Sequence, residues 1–373
     1  MKKISLLYTR TGGGHLSLAL ATQEALEKYS PEKIAVSLFD PHHRFYAQAY
    51  EKFGSSMQGL WKAGYQASAS PQASQLIHKM VIPTVINKLA KYLQLEKPDL
   101  IVSNHAFITV ELKMALVKIG SRAKTAIYFA DPFSLHPAWL AEKGADLYLA
   151  PTQEAADTAL AHGIPRQKVK VVGWLTRDAF FTPPHDRQQV LTIMGLATDK
   201  MTIFVGGSGQ GGGKTYELCQ LVSRDKQLAQ HCQLVVNTGL NSVLANKVIK
   251  LTQKNPQLFY ILPYSKNLSD IMSACDLVMG KAGPNFLFEA LHLGKPIIAT
   301  GCLPGQEDGN LEYITRSGIG WVKTQPQSVI PLLKKILKNP QLLQAKKDRM
   351  KVESAKHRHT AKNLAHELHL LLK

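Results

Sequence analysis

The chain has 373 residues, 45% of them hydrophobic and 19% charged, and its formal net charge at pH 7 is +18. A chain of this length is expected to form two hydrophobic cores rather than one. No apolar run reaches the roughly 18–20 residues that a membrane-spanning helix needs, and the four cysteines show neither metal-binding spacing nor a C-x-x-C pair. These features favour a cytoplasmic protein with reduced cysteines over a transmembrane or disulfide-stapled one.

A large share of the positive charge lies near the C-terminus. The last 40 residues, 334–373, hold 11 Lys or Arg and 3 Asp or Glu, which gives +8 of the net charge. Such an excess predicts acidic partners, namely anionic lipid, nucleic acid or a phosphorylated substrate, and a solvated helical face explains it equally well. No DNA- or RNA-binding motif accompanies the charge, so we expect no nucleic-acid partner.

The first 40 residues have the pattern of a strand, a glycine turn, a helix and a second strand. Residues 3–9 are apolar enough for a buried strand, a turn at 11–15 ends in His15, and 16–29 have helical periodicity before a strand at 34–40. The apolar stretch after the basic start is too short for a signal peptide. This order is typical of a doubly wound α/β domain, in which small residues let a ligand approach the backbone.

The segment 42–97 differs in character from the rest. Aromatic and apolar residues recur there at helical spacing, with lysines between them. One interpretation is a set of amphipathic helices packed on the first domain. The other is a monotopic membrane surface, on which side chains such as Phe53 and Trp61 enter lipid while lysines meet headgroups. The aromatic content of the first helix slightly favours the membrane surface, and both interpretations stay open.

Short apolar strands alternating with helices then continue to about residue 322. The remaining strands are predicted at 99–103, 124–129, 146–150, 169–173, 201–205, 232–237, 258–262, 275–279, 297–300 and 320–322. This alternation predicts two doubly wound Rossmann-like halves facing across a cleft. The predicted divisions are a first domain (1–182), a second domain (183–345) and a C-terminal basic helix that packs back on the first domain (346–373).

A glycine-rich stretch at 204–215 follows the first strand of the second half. Residues 213–215 match the end of a P-loop, but the first glycine of that motif would fall at Ser208, and no later strand ends in an aspartate placed for magnesium. A P-loop NTPase is therefore the weaker interpretation. The stronger one is a nest of backbone amides that cradles a diphosphate, with Gly206, Ser208 and Gly209 as contacts.

The stretch 281–291 is the most informative part of the sequence. An apolar strand precedes it, Gly283 makes a turn, and Pro284 stands where a helix begins without losing a hydrogen bond. Amides and the positive dipole end at a helix N-terminus suit a phosphate, and Glu289 lies within reach of a sugar bound there. The residues that follow the next strand, at the same carboxyl edge of the sheet, are Gln306, Glu307 and Asn310.

Two motifs, Lys-Ala-Gly-Pro at 281–284 and Pro-Gly-Gln-Glu-Asp-Gly-Asn at 304–310, resemble the nucleotide-sugar signature of GT-B glycosyltransferases. More narrowly, they are similar to those of the monogalactosyl- and glucosyl-diacylglycerol synthases, relatives of the peptidoglycan lipid GlcNAc transferase. The resemblance implies that Glu289 accepts both ribose hydroxyls. It implies that the hexose hydroxyls contact Gln306, Glu307 and Asn310. It places the remaining donor contacts at Tyr264, Gly283, Pro284 and Asn285.

The resemblance extends to the first half of the chain. The histidine that matches His15 is proposed as general base in the galactolipid synthases, and an unperturbed histidine, with a pKa of about 6.5, could accept a hydroxyl proton at neutral pH. Asp131, which ends another strand at the same edge, is the alternative base. Residues 136–139 resemble the family's H-P-x-W stretch. The predicted acceptor-side residues are Gly13 and Gly14, which precede His15, and His105, which ends another strand at the same edge.

The chain departs from the family pattern at two positions. Arg10 stands where these synthases usually carry an acid, which bears on acceptor-side details including activation by anionic lipid. Asn285 and Phe286 replace the usual small pair after Gly-Pro, which bears on the shape of the donor pocket. No D-x-D pair occurs, so we expect no metal and no other cofactor.

The expected function is an inverting, metal-independent transfer of a hexose from UDP-glucose or UDP-galactose to a lipid hydroxyl, that of diacylglycerol, at the anionic cytosolic face of a membrane. A polyprenyl-linked or other acceptor with a UDP-GlcNAc donor is the alternative within the same fold. Other classes stay open: the NTPase described above, a protein that binds nucleotide or lipid without turnover, and a UDP-sugar epimerase, which would not be expected to carry the lipid-family motifs.

Overall fold

A computed structural model describes residues 1–10, 13–42, 58–183, 185–207, 214–265 and 267–373. They form two compact units. The first unit comprises Met1–Arg177, Pro304–Gly309 and His357–Lys373, and the second comprises Asp178–Leu303 and Asn310–Lys356. The predicted contacts that lie outside the described residues are Phe53, Ser208 and Gly209.

The first unit is built on a six-stranded parallel sheet with the strand order β2-β1-β3-β4-β5-β6. Its strands are β1 (Lys3–Leu7), β2 (Ala35–Phe39), β3 (Leu100–Ser103), β4 (Lys124–Tyr128), β5 (Leu147–Ala150) and β6 (Val169–Val171). Every residue of β3 and β5 is buried, because helices cover both faces of a parallel sheet. The carboxyl ends of β1, β3 and β4 lie side by side at one edge.

Helices flank this sheet and include the last helix of the chain. They are α1 (Gly14–Tyr29), α2 (Gln58–Ser68), α3 (Pro71–Glu96), α4 (Thr109–Ile119), α5 (Gln153–Ala161) and the C-terminal α15 (Thr360–Leu371). The C-terminal helix packs on α1. Just before it, Nδ1 of His357 accepts the backbone N–H of Trp174 at 3.2 Å. The last residues of the chain thus complete the first unit.

The helices α2 and α3 contain both buried and exposed apolar residues, so each interpretation of the segment 42–97 describes a part of it. In the second half of α3, Val85, Leu89 and Leu93 are buried, and the last two join the core formed with β3 and α4. Earlier, Leu60 of α2 and Met80 of α3 are about 60% exposed, at 60% and 61%. One part of the segment is therefore core, whereas the other presents apolar side chains to solvent. No described helix is long and apolar enough to cross a membrane.

The second unit contains another six-stranded parallel sheet, with the order β12-β11-β10-β7-β8-β9. Its strands are β7 (Met201–Gly206), β8 (Cys232–Gly239), β9 (Phe259–Pro263), β10 (Leu277–Lys281), β11 (Ile297–Gly301) and β12 (Gly320–Val322). The helices along this part of the chain are α6 (Arg187–Ile193), α7 (Thr215–Arg224), α8 (Lys226–His231), α9 (Ser242–Thr252), α10 (Leu268–Ala274), α11 (Pro284–His292), α12 (Asp308–Arg316), α13 (Val329–Lys338) and α14 (Gln341–Ala355).

Glycines allow the central strands β7 and β10 to approach closely at their carboxyl ends. Gly280 pairs with Gly206, and a Cβ on Gly280 would overlap the carbonyl group of Gly206. Gly207 has φ +150, and a Cβ there would meet the backbone of Lys281. Strand packing therefore requires Gly280 and the first glycines of the stretch 204–215.

Candidate functional site

His15 lies at the start of α1, directly after a glycine turn. Gly13 caps the helix with φ 83, a left-handed conformation that glycine adopts without a steric penalty, and Gly14 is the first helical residue. Nδ1 of His15 is 2.6 Å from the backbone carbonyl oxygen of Asn104, which follows β3. Because a carbonyl only accepts, Nδ1 carries the proton and Nε2 carries the lone pair. Burial lowers the pKa of His15 to about 4, despite the opposing hydrogen bond to Asn104.

Among the described residues, this imidazole belongs to a group of three. The ring of His105 lies 4.7 Å from that of His15 and 5.5 Å from that of His42, measured between centroids. Burial lowers the pKa of His42 to about 4, and burial followed by the neighbouring imidazoles lowers the pKa of His105 well below its usual value. All three rings are therefore neutral at pH 7. Within the described part of the chain, no three ligating side chains are grouped to hold a metal ion.

Asp131 follows β4 and accepts two N–H groups. Its Oδ2 accepts the indole N–H of Trp139 at 2.6 Å, and its Oδ1 accepts the side-chain amide of Gln306 at 2.9 Å. The side chain is 5% exposed. Burial raises the pKa of Asp131 to about 6, and the charge of Glu307 adds to this, while the two N–H donors oppose it. The carboxyl group is thus mostly ionised at pH 7.

The segment Pro304–Gly309, which carries two predicted sugar contacts, packs against α2 and the loop after β4. Gly305 has φ +87, and a Cβ on it would lie 2.7 Å from the ring of Tyr65. At the other end, the backbone N–H of Gly309 donates to Oγ of Ser134 at 3.3 Å. The segment is therefore fixed at both ends within the first unit.

The H-P-x-W stretch links α2 to Asp131. Nδ1 of His136 accepts the backbone N–H of Ala138 at 3.1 Å, so its Nε2 carries the proton and donates to Oγ of Ser68, also at 3.1 Å. The same ring packs at 4.7 Å on that of Tyr65. The next polar side chain of the stretch is Trp139, which donates to Asp131.

A fully buried pair lies beneath this stretch. Nδ1 of His78, on α3, is 2.7 Å from Oε1 of Glu111, on α4, and its Nε2 is 3.2 Å from the carbonyl oxygen of Ala138. These contacts connect two helices to the loop that holds Trp139, so they support the site rather than line it.

In the second unit, the turn before α11 has the Gly-Pro geometry that the sequence predicted. Gly283 caps the helix in an extended conformation and Pro284 occupies its first position. The side-chain amide of Asn310 donates to the carbonyl of Ala282 at 2.8 Å and braces this turn. Glu289, within the helix, is 8% exposed. Asn285 occupies the second helical position, so its backbone amide belongs to the helix N-terminus.

The other predicted donor contacts have different surroundings. The side chain of Tyr264 is 66% exposed just after β9, and its backbone N–H donates to the carbonyl of Gly239 at 3.2 Å. Gly206 ends β7, where the strands approach closely. Nζ of Lys214, the lysine that would serve a P-loop, donates to the carbonyl of Thr324 at 2.6 Å.

The structure groups the predicted residues into three clusters: His15 with His105, Asp131 with Gln306, and the α11 turn with Asn310. Trp61 lies on α2. Sequence reasoning missed His42 and Tyr65. His42 follows a strand at the carboxyl edge, which was a usable signal, whereas nothing local in the sequence indicated that Tyr65 contacts Gly305.

Both halves of the chain match known protein families. The model for monogalactosyldiacylglycerol (MGDG) synthase matches residues 17–174, and the model for the glycosyltransferase family 28 C-terminal domain matches residues 202–366. MGDG synthase 1 of Arabidopsis thaliana is 24% identical over 341 residues, which are 88% of this chain and 63% of the relative. The MGDG synthase of Spinacia oleracea is also 24% identical over 341 residues, 88% of this chain and 65% of the relative. The chain thus spans less than two thirds of the length of these relatives.

Solved structures share the fold at low identity. TcCGT1 in complex with UDP superposes with a TM-score of 0.66 at 12% identity, covering 99% of both chains. Anabaena HepE in complex with UDP gives a TM-score of 0.60 at 14% identity, covering 100% of this chain and 99% of the other. UDP-GlcNAc 2-epimerase from Neisseria meningitidis gives a TM-score of 0.64 at 15% identity, covering 99% of this chain and 100% of the other. The GT-B fold is confirmed, and the two family matches show that the chain is similar to the GT-B glycosyltransferases of the MGDG synthase type.

Proposed function

We propose that the protein transfers a hexose from a UDP-sugar to the hydroxyl group of diacylglycerol, with inversion at the anomeric carbon and without a metal ion. Residues 1–182 bind the acceptor and the membrane and 183–345 bind the donor, and of the segment 346–373 the part His357–Lys373 packs back on the first domain. The observation that carries this proposal is the tautomer of His15, whose Nδ1 lies 2.6 Å from the carbonyl oxygen of Asn104. That contact leaves Nε2 as the proton-accepting nitrogen in a domain that matches the MGDG synthase model.

The α11 turn supports the donor side of the proposal. An N-terminus with Pro284 at its first position and a bracing bond from Asn310 offers fixed amides and a positive dipole end to a diphosphate. Glu289 accepts the ribose hydroxyls, since a carboxylate offers two acceptor oxygens. The glycine nest that begins at Gly206 cradles the phosphates, and the backbone near Tyr264 contacts uracil.

The reaction is a single displacement. The acceptor oxygen forms a bond to the anomeric carbon as the bond from that carbon to the UDP oxygen breaks, and the hydroxyl proton passes to Nε2 of His15. UDP leaves with the bonding electron pair, stabilised by the dipole of α11 and backbone amides. Because the pKa of His15 is about 4, the imidazole is fully available as a base at pH 7 but is weaker than an unperturbed histidine. Attack opposite to UDP inverts the anomeric configuration.

The exposed apolar side chains of α2 and α3 support binding to an anionic membrane on its cytosolic face. Leu60, Leu76 and Met80 are 58–61% exposed, and exposed lysines, Lys62 and Lys79, lie beside them in the sequence. Apolar side chains that enter lipid and ammonium groups that meet acidic headgroups are the usual elements of a monotopic surface. Replacing the three apolar residues with serine should lower binding to anionic vesicles, and unchanged binding would contradict this surface.

The test of the proposal is UDP release from UDP-glucose, UDP-galactose and UDP-GlcNAc, with diacylglycerol in anionic vesicles and EDTA present. Diacylglycerol-dependent release is expected from the wild type. We expect His15→Ala to lose turnover while UDP still binds, and Glu289→Ala to lose UDP affinity. A matched control is His162→Ala, because His162 is exposed at the end of α5 and caps only its own helix.

The outcomes separate the alternatives. Release with UDP-GlcNAc and a polyprenyl-linked acceptor, but not with diacylglycerol, would replace the acceptor in the proposal. UDP binding without release would indicate a binding protein, and conversion of UDP-GlcNAc without transfer would indicate an epimerase. Magnesium-dependent ATP hydrolysis lost in Lys214→Ala would support the NTPase interpretation. A wild-type protein that does not bind UDP would refute the proposed function.

A further inference from the structure

Asp131 has a hydrogen-bonding pattern that suits the orientation of another side chain. Each of its carboxylate oxygens accepts one N–H group, Oδ2 from Trp139 at 2.6 Å and Oδ1 from Gln306 at 2.9 Å. Trp139 is 1% exposed, so its indole is held in place by the core. The indole N–H can only donate, so it holds Oδ2 of Asp131 in place. The other carboxylate oxygen, Oδ1, then accepts an N–H group from Gln306.

A glutamine side chain can present either its oxygen or its NH2 group to a neighbour, and a carboxylate resolves this ambiguity. An ionised Asp131 only accepts, so it must face the NH2 end of Gln306. The pKa of Asp131, raised by burial to about 6, still leaves the group mostly ionised at pH 7. The direction of the Gln306 carboxamide is therefore set by the first unit.

We propose that Asp131, oriented by Trp139, is a positioning residue that fixes the carboxamide of Gln306 for the hexose of the donor, rather than the base that activates the acceptor. This inference rests on the proposed function, in which Gln306 contacts the sugar. It assigns the proton transfer to His15 alone and gives Asp131 and Trp139 a role in sugar recognition.

The packing around Gln306 supports this role. On one side, Gly305 lies so close to Tyr65 that a Cβ would be 2.7 Å from the ring. On the other side, a Cβ on Gly309 would lie 2.6 Å from Cβ of Phe133. The segment is therefore fixed at both flanks, and the hydrogen bond from Gln306 to Asp131 orients the carboxamide between them.

Substitution by asparagine separates the two roles of Asp131. In Asp131→Asn, the oxygen of Asn can accept from Trp139, and its NH2 group then faces Gln306, whose carboxamide must invert. In the double variant Asp131→Asn/Gln306→Glu, one carboxylate oxygen of Glu accepts from the NH2 group of Asn, and the other oxygen takes the place of the wild-type carboxamide oxygen, which the inverted Gln306 of the single variant turns away from the sugar. A general base would not be restored by this exchange, because neither residue would regain its original function.

The experiment measures, by calorimetry without acceptor, the affinities of UDP and of the UDP-hexose that the wild type uses. For Asp131→Asn we expect unchanged UDP affinity and a UDP-hexose affinity about tenfold weaker, as for the loss of one hydrogen bond to a charged group. Trp139→Phe should shift UDP-hexose affinity in the same direction. The double variant should regain part of the lost affinity.

A matched control is Asp146→Asn. Asp146 also accepts a backbone N–H, that of Thr125 at 2.8 Å, but it precedes β5 and so lies at the opposite edge of the same sheet. We expect this variant to bind both ligands like the wild type. Thermal unfolding of each variant checks that it is folded.

Three results would overturn the positioning role. The first is wild-type UDP-hexose affinity in Asp131→Asn together with lost turnover, which would make Asp131 the base. The second is an equal loss of UDP and UDP-hexose affinity, because the effect would not concern the sugar. The third is a double variant that binds UDP-hexose no better than Asp131→Asn. Failure of the wild type to bind UDP would instead refute the proposed function, and the positioning role with it.

Discussion

Lowering the pH from 7 to 5.5 tests the assignment of His15 as base. A base must be unprotonated to act, so its activity is lost as the pH falls through its pKa. Burial lowers the pKa of His15 to about 4, so about 97% of it is neutral at pH 5.5, whereas only about 9% of an ordinary histidine would be. At saturating donor, we therefore expect the turnover rate to fall by less than about a tenth, rather than roughly tenfold.

The assay is the initial rate of UDP release at pH 5.5–7.5 with saturating and with limiting donor. If Asp131 positions Gln306, kcat/KM for the donor should fall below pH 6, because the pKa of Asp131 is about 6, while kcat stays level. A decline in kcat with an apparent pKa near 6.5 would refute the desolvated, neutral His15. A decline in kcat near 6 would make the ionisation of Asp131 essential to the chemical step.

The same imidazoles limit the pH range of the assay through stability. The pKa values of His15 and His42 are about 4 in the folded protein and about 6.5 in the unfolded chain, which therefore binds more protons as the pH falls below 6.5. Between pH 7 and pH 5.5 the free energy of unfolding should fall by about 1.2 kcal/mol for each imidazole. Asp131 acts in the opposite direction, because its raised pKa means that the folded protein holds the proton more tightly between about pH 6 and 4. Recovery of activity on return to pH 7 distinguishes protonation from unfolding.

Other substitutions test the packing. Gly305→Ala and Gly294→Ala both place a side chain at positive φ (+87 and +64), which should lower the free energy of unfolding by about 1–2 kcal/mol. Only the alanine at 305 would meet an aromatic ring, that of Tyr65. We therefore expect only Gly305→Ala to weaken UDP-hexose binding in calorimetry as well. Gly280→Ala would overlap the carbonyl group of Gly206, so thermal unfolding should show a loss of about 3 kcal/mol or more. Ser70→Ala removes the side-chain oxygen that accepts an N–H at the start of α3 and should lower the unfolding free energy by about 1 kcal/mol in urea titration, with no change in UDP binding.

The strands and the motif turns could be predicted because they depend on local pattern. The continuous apolar run of β10 and the Gly-Pro turn before α11 appear in the structure close to the predicted positions. The helices α6 and α8 were not predicted, because each is shorter than two turns plus a cap and shows too little periodicity.

The environments of the site residues could not be predicted, because they depend on contacts between distant parts of the chain. From the sequence alone an ordinary pKa is expected for His15, but its burial beside His105 lowers that value to about 4. The sequence motif predicts that Gln306 contacts the sugar, but not that it bonds to Asp131, which is 175 residues away in the chain. A separation of this kind leaves no local signal.

The contact between α15 and α1 has a consequence for biosynthesis. The first unit is completed by His357–Lys373, so its hydrophobic face on α1 stays uncovered until the entire second unit has been translated. Pairing chain ends that are more than 300 residues apart is entropically costly and slow. All segments of the second unit have been translated by Lys356, so this unit can fold on the ribosome before the first unit, although the first unit begins earlier in the chain.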